Sequence, residues 1–225
     1  MIPLRDDLKS STRPFVTYAI LGINIIVYIY ELSIGRNLDG FIMHFGAVPY
    51  NIFHPGNIVS YTTIFSSMFI HANLVHLAGN MLFLWTFSDN VEDKIGHIKY
   101  FFYYLICGIA GALLHSLTSP DSTVPMVGAS GAISGVLGGY ILMFPKARIL
   151  ALVPLGFFMR VMYLPSYVFL GLWALYQFLL GFISIGSRGG GVAYFAHIGG
   201  FVTGLVIALP FKFKRTGSDA EYQIH

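Results

Sequence analysis

Three apolar stretches of this chain carry side chains that could do chemistry. One reads Phe69-Ile70-His71-Ala72-Asn73-Leu74-Val75-His76-Leu77-Ala78-Gly79-Asn80, a second Val127-Gly128-Ala129-Ser130-Gly131, and a third Ala196-His197-Ile198-Gly199-Gly200 with Gly204 following. A serine hydroxyl becomes a nucleophile when a base such as imidazole takes its proton, and the oxyanion that forms next needs hydrogen-bond donors. Ser130 and His197 are the right types for nucleophile and base. His76 and Asn80 lie four residues apart, hence on one helical face, and could supply donors beside the N–H of Ser130. Such a set suits amide hydrolysis, in which the base later returns its proton to the leaving amine. The 10 acidic residues fall at the ends of apolar runs, in loops or in tails, so the expected arrangement is a dyad without a third acid. Packing and hydrogen bonds must then orient the imidazole.

Plainer readings exist for each residue. Histidine and asparagine can bridge helices structurally, and Gly-x-Ser-Gly is common where membrane helices cross. Convergence of a serine, two histidines and an asparagine at one depth on three helices favours chemistry over either. A zinc hydrolase would need a motif such as His-Glu-x-x-His, and an aspartyl hydrolase a pair of aspartates within two spans; the sequence has neither. The single Cys107 sits in an apolar run and leaves no disulfide or zinc-thiolate cluster to consider. No metal or cofactor is expected.

The elements that must hold these residues are membrane helices. The chain is 56% hydrophobic and 10% charged, with mean hydropathy +0.70, outside the range of ordinary soluble domains. Apolar runs cover about residues 15–32, 64–87, 100–117, 126–144, 163–185 and 192–211, predicting an all-α, six-span polytopic bundle that fills the chain. Residues 149–159 are apolar too, but short and interrupted by Pro154 and Gly156, which predicts an interfacial or re-entrant connection. No cleavable signal is expected ahead of the first run. Of the 13 Lys and Arg residues only Arg36 and Arg188 fall on one side of this arrangement, so both termini are expected in the cytoplasm. The net charge of +3 reflects that bias and implies no nucleic acid.

With this topology the second, fourth and sixth runs all enter from the outside. Ser130, Ser134 and Gly138 then form one small-residue stripe and His197, Gly200 and Gly204 another, which would let the two helices approach closely. The long first connection, residues 33–63, is rich in aromatics and is expected to pack on or dip into the membrane surface.

Together these motifs resemble the rhomboid intramembrane serine proteases. The matching residues are His71 through Asn80, Val91-Glu92-Asp93-Lys94-Ile95-Gly96, Gly128-Ala129-Ser130-Gly131, and Ala196-His197-Ile198-Gly199-Gly200 to Gly204, in order over about residues 57–210. The resemblance implies a multi-pass protein of the cell (inner) membrane, with a cytoplasmic segment 1–13, a six-span protease domain 14–211 and a cytoplasmic tail 212–225. It implies cleavage of single-span membrane proteins in or near their transmembrane segment, among the membrane lipids, at small residues near helix-breaking sequence, by Ser130 and His197 in a site opening to the extracytoplasmic side. An oxyanion hole of His76, Asn80 and the Ser130 N–H is implied, with Gly128, Gly131, Gly200 and Gly204 as packing support. Lateral entry between the second and fifth spans is implied as well; Trp173 and Gln177 would belong to that gate, or Trp173 could be an ordinary packing residue. Two positions depart from the pattern. Ser134 stands where many bacterial members carry a tyrosine that stacks on the catalytic histidine, and Thr62 and Thr63 stand where some carry a Trp-Arg pair. The alternatives are an inactive relative that binds membrane clients without cutting them, and a small channel or transporter.

Overall fold

The computed structural model describes residues 1–56, 58–185 and 191–213; Arg188, Lys214, Arg215 and the tail lie outside them. In chain order the elements are β1 (Ile2–Asp6), α1 (Phe15–Ile34), α2 (Leu38–Phe45), α3 (Pro49–Phe53), α4 (Val59–Ser66), α5 (Leu74–Ile95), α6 (His97–Thr118), α7 (Ser130–Met143), β2 (Arg148–Leu155), β3 (Phe158–Pro165), α8 (Ser166–Ser184) and α9 (Tyr194–Ala208). The protein is mostly helical and multi-pass, and not every one of the six runs forms a single helix of spanning length. Among the described residues four helices are long and apolar enough to cross a membrane, or five if the bent pair α4–α5 is one span.

The second run is broken because its polar residues do something other than ride on a helix. Between the short turn Ser67–Phe69 and Leu74 the chain bends by 77°. Asn73 caps α5 by accepting the His76 N–H at 2.8 Å. The buried Glu31 of α1 accepts the N–H of His71, which is fully buried in the bend. Asn73 and His71 therefore shape the entry to α5, with His76 its third residue and Asn80 its seventh. Thr62 and Thr63 bond back to Val59 and Ser60 within α4.

The fourth run is short for a different reason. α7 has 14 residues, apolar on every side, and all from Gly131 to Tyr140 are buried. It is the central post of the bundle and packs on α5, α6, α8 and α9. Contact with α9 is through glycine. A Cβ at Gly200 would run into the carbonyl oxygen of Gly131, one at Gly204 into that of Gly135, and one at Gly138 into that of Phe201. The stripe on α7 is thus Gly131, Gly135 and Gly138, one residue round from the expected Ser130 and Ser134. Ser134 instead returns its hydroxyl to the carbonyl of Ser130 at 2.6 Å.

At the far end of α7 from Ser130 the all-α expectation fails. Residues 148–165 form a β-hairpin, and β1 adds to it in a three-stranded antiparallel sheet of order β1-β2-β3. Alternation of the strands buries Ile149 and Ala151 against the bundle. The N-terminal segment is therefore part of the folded body. It is held by the Val91 to Gly96 motif at the end of α5. Asp93 accepts the N–H and hydroxyl of Ser11 and Thr12, and Glu92 accepts the first-turn N–H groups of Val16 and Thr17 at 3.0 and 2.8 Å. A carboxylate at the start of α1 satisfies donors the helix cannot and meets the positive end of its dipole.

Asp6 of β1 accepts the Tyr140 hydroxyl and the Asn90 amide, tying the sheet to α7 and α5. Burial, with Asp89 and Asp7 nearby, lifts its carboxyl from 3.8 to about 7. The folded state holds this proton more tightly than the unfolded chain, so the stabilisation is complete below about pH 4 and is lost as pH rises through about 7. The thermal midpoint in detergent should accordingly fall between pH 5 and 8, and Asp6→Asn, which keeps an acceptor but not the titration, should flatten that slope. Equal slopes for the two proteins would remove Asp6 from this role.

Candidate active site

Ser130 is the first residue of α7 and His197 the fourth of α9. The glycine contact between the two helices brings the Ser130 Oγ to 2.8 Å from the His197 Nε2. On the other side of the ring, Nδ1 lies 2.8 Å from Oε1 of Gln177, a buried residue of α8. A carbonyl oxygen can only accept, so Nδ1 carries the proton and donates it to Gln177, leaving the Nε2 lone pair for the serine hydroxyl. The Trp173 ring, one turn earlier on α8, lies 6.1 Å from the imidazole between centroids and 6.0 Å from Phe201. The hydrogen bond and aromatic neighbour of His197 thus come from the fifth apolar run, while position 134 faces inward along α7.

The oxyanion candidates approach from α5. At Gly128, two residues before the serine, the backbone has φ +120°, a conformation that favours glycine, and a Cβ there would sit 2.7 Å from Nε2 of His76 and 3.5 Å from Nδ2 of Asn80. His76 and Asn80 therefore converge on the chain just ahead of Ser130. The Asn80 amide nitrogen is buried and has no hydrogen-bond partner among the described residues. A buried donor left this way costs free energy unless something else uses it. The first N–H groups of α7 likewise have no partner within the helix and lie at its positive end.

Backbone pairing fixes the approach to this helix. Ala47 and Met126 exchange hydrogen bonds of 3.0 and 2.8 Å, and Gly128 donates to the Ser67 carbonyl at 2.8 Å. The first connection, which carries exposed aromatics such as Tyr50 and Phe53, thereby clamps the serine's loop as well as presenting apolar surface. His71 stands edge-on to His76, with ring centroids 5.2 Å apart. Ser130, His197, His76, Asn80 and Gly128 all line one cavity of about 670 Å³, with Trp173 on its wall.

Residues 59–212 match the family model described as the rhomboid domain. The chain belongs to the rhomboid family. This rhomboid is 31% identical over 200 residues to rhomboid protein 1, mitochondrial, of Saccharomyces cerevisiae, covering 85% of this chain and 51% of that one. It is 29% identical over 130 residues to rhomboid protease GluP of Bacillus subtilis, covering 57% of this chain and 24% of the relative. Against rhomboid protease AarA of Providencia stuartii it is 29% identical over 212 residues, with coverage of 87% and 72%. The chain thus spans about half or less of the first two relatives' length.

Glu31 bonds to His71, Asn73 caps α5 at His76 and Gln177 bonds to His197, three contacts that motif reading missed. The available signals were a carboxylate and an amide inside apolar runs, where each must find a partner. Gly128→Ala should displace the His76 side chain and strain the turn. We expect labelling of Ser130 by a fluorophosphonate probe to slow by about 100-fold with the bundle still folded, and an unchanged labelling rate would contradict the geometry at Gly128.

Proposed function

We propose that this rhomboid is an intramembrane serine endopeptidase that cuts single-span membrane proteins in or near their transmembrane segments. The observation that carries this reading is the 2.8 Å contact between Ser130 Oγ and His197 Nε2, with Nδ1 held by Gln177. His197 takes the hydroxyl proton at Nε2 as Oγ adds to the scissile carbonyl carbon. The Asn80 amide, the His76 ring and the Ser130 N–H stabilise the resulting oxyanion. The same proton passes from Nε2 to the departing amine as the C–N bond breaks. Water, deprotonated in turn by His197, releases the acyl group from Ser130 and restores the dyad. Gln177 is a positioning residue: it fixes the tautomer and the ring plane without touching substrate. No step calls on a metal or cofactor.

The membrane placement proposed here counts the bent α4–α5 pair and α7 among six spans within residues 14–211. α7, at 14 residues, is roughly 21 Å long against about 30 Å of hydrocarbon, so one of its ends lies within the bilayer. The bias of Lys and Arg supports an inner-membrane orientation with both termini in the cytoplasm. The Ser130 end then faces outward, and the cavity admits water from the extracytoplasmic side while substrate enters between α5 and α8.

In proteoliposomes with a single-span substrate, Ser130→Ala should abolish cleavage, and residual cutting would contradict the mechanism. A wild-type chain that binds such a substrate without cutting it would point to an inactive family member. Asn80→Ala should lower kcat by about 10 to 1,000-fold. Gln177→Leu should lower kcat by about 10 to 100-fold with KM little changed, as expected for loss of an orienting partner. Unchanged kcat in either variant would remove that residue from its assigned role.

A further inference from the structure

The hairpin at the other end of the bundle is more apolar than a solvent-exposed turn requires. Residues 148–165 contain Arg148 and Arg160 and no acidic residue, and the turn is made by Gly156, at φ 64°, and Phe157. Residues of one parity share a sheet face, and the pairing sets Ile149 opposite Leu164, Ala151 opposite Met162, Val153 opposite Arg160 and Leu155 opposite Phe158. At its base this face is sealed against the bundle, with Ile149 and Ala151 fully buried and Val153 and Leu164 packed on the core. Along the same face toward the tip the cover ends: Leu155 is 50% exposed, Phe158 78% and Phe157, in the turn, wholly exposed.

Two further observations indicate what covers that tip. β3 runs without a linker into α8, one of the helices long and apolar enough to cross a membrane, so the hairpin's base sits at the point where a span leaves the bilayer. The face that meets the bundle at the base has, beyond the bundle's edge, no protein cover among the described residues. Arg160 lies on this face behind the apolar tip, the arrangement that suits an anionic leaflet: apolar side chains below the headgroups and a guanidinium at the phosphates. Left in water, the same tip on an edge strand would invite association.

We propose that the tip of the β2–β3 hairpin inserts into the headgroup region of the leaflet at the end of the bundle away from Ser130, with Arg160 contacting lipid phosphates. The hairpin is then a second, lipid-dependent support for α8, whatever the chemistry at the cavity.

The test uses the full chain in nanodiscs, which leave both faces open to reagents. Phe158→Cys and, on the opposite sheet face, Val161→Cys are each labelled with an environment-sensitive fluorophore; the native Cys107 is buried and does not compete. Phe157→Cys serves as a second tip site. In discs of phosphatidylcholine with phosphatidylglycerol, the tip labels should be blue-shifted and quenched several-fold more by shallow nitroxide lipids than the Val161 label, which aqueous iodide should quench. Discs of phosphatidylcholine alone, or Arg160→Glu, should weaken that difference. Equal quenching of both faces by iodide would overturn the proposal, and so would a tip shielded from both quenchers, since a protein surface would then be covering it.

Discussion

Where α7 and α9 cross, hydrogen atoms stand at the positions that in most helix pairs would carry side chains. A methyl group on Gly200, Gly204 or Gly138 would meet the carbonyl oxygen of Gly131, Gly135 or Phe201 respectively. In a bilayer, lipid tails are as apolar as leucine, so helices gain little by hiding apolar surface from lipid and associate instead through close packing and polar contacts. Glycine maximises the first and here enables the second. A wider crossing would leave the Ser130 hydroxyl out of reach of the His197 ring, now at 2.8 Å. α9 is pinned from its other side in the same way, since a Cβ at Gly199 would press on the backbone of Ala110 and Gly111 in α6. The helix that carries the imidazole is thus held between two glycine-lined partners.

At one end of the bundle buried carboxylates are satisfied: Glu92 and Asp93 bind the start of α1, and Asp6 joins the sheet to Tyr140. Buried side-chain atoms without a partner among the described residues occur at both ends, Asn90 Oδ1 beside the carboxylates and the Asn80 amide nitrogen at the other end, and of these two residues Asn80 lines the cavity. An unsatisfied group of this kind persists only where surrounding structure over-determines its position, and such strain clusters at functional sites. The clamps on the loop before Ser130, from Ala47 and Ser67, supply that rigidity next to the cavity.

The parts of this architecture that the sequence made legible are those whose cost is written into a residue type. Histidine, asparagine and serine in apolar runs, and glycine at i, i+4 spacing, each demand a partner or a close approach, and the four candidate residues do line one cavity. Illegible were features that depend on which of two equal-looking neighbours wins. One-residue rotation decides between Ser134 and Gly135 as the contact position, and both are small. Asn73 reads as one more polar residue in a helix, whereas its cap to the His76 N–H makes it the residue at which α5 begins. The hairpin hid because its strands are apolar on both faces and carry no alternation, so only Pro154 and Gly156 marked it as something other than a helix. Orientation of His197 could not be read from its own helix at all, since Gln177 and Trp173 come from α8.

The most direct measurement is a crystal structure of the chain after reaction with a fluorophosphonate. Phosphorus should be bonded to Ser130 Oγ, with the phosphoryl oxygen within hydrogen-bond distance of the Asn80 amide and the Ser130 N–H and His197 Nδ1 still bonded to Gln177. Phosphorus on another residue, or a phosphoryl oxygen turned away from Asn80 with His197 swung off Gln177, would contradict the proposed mechanism.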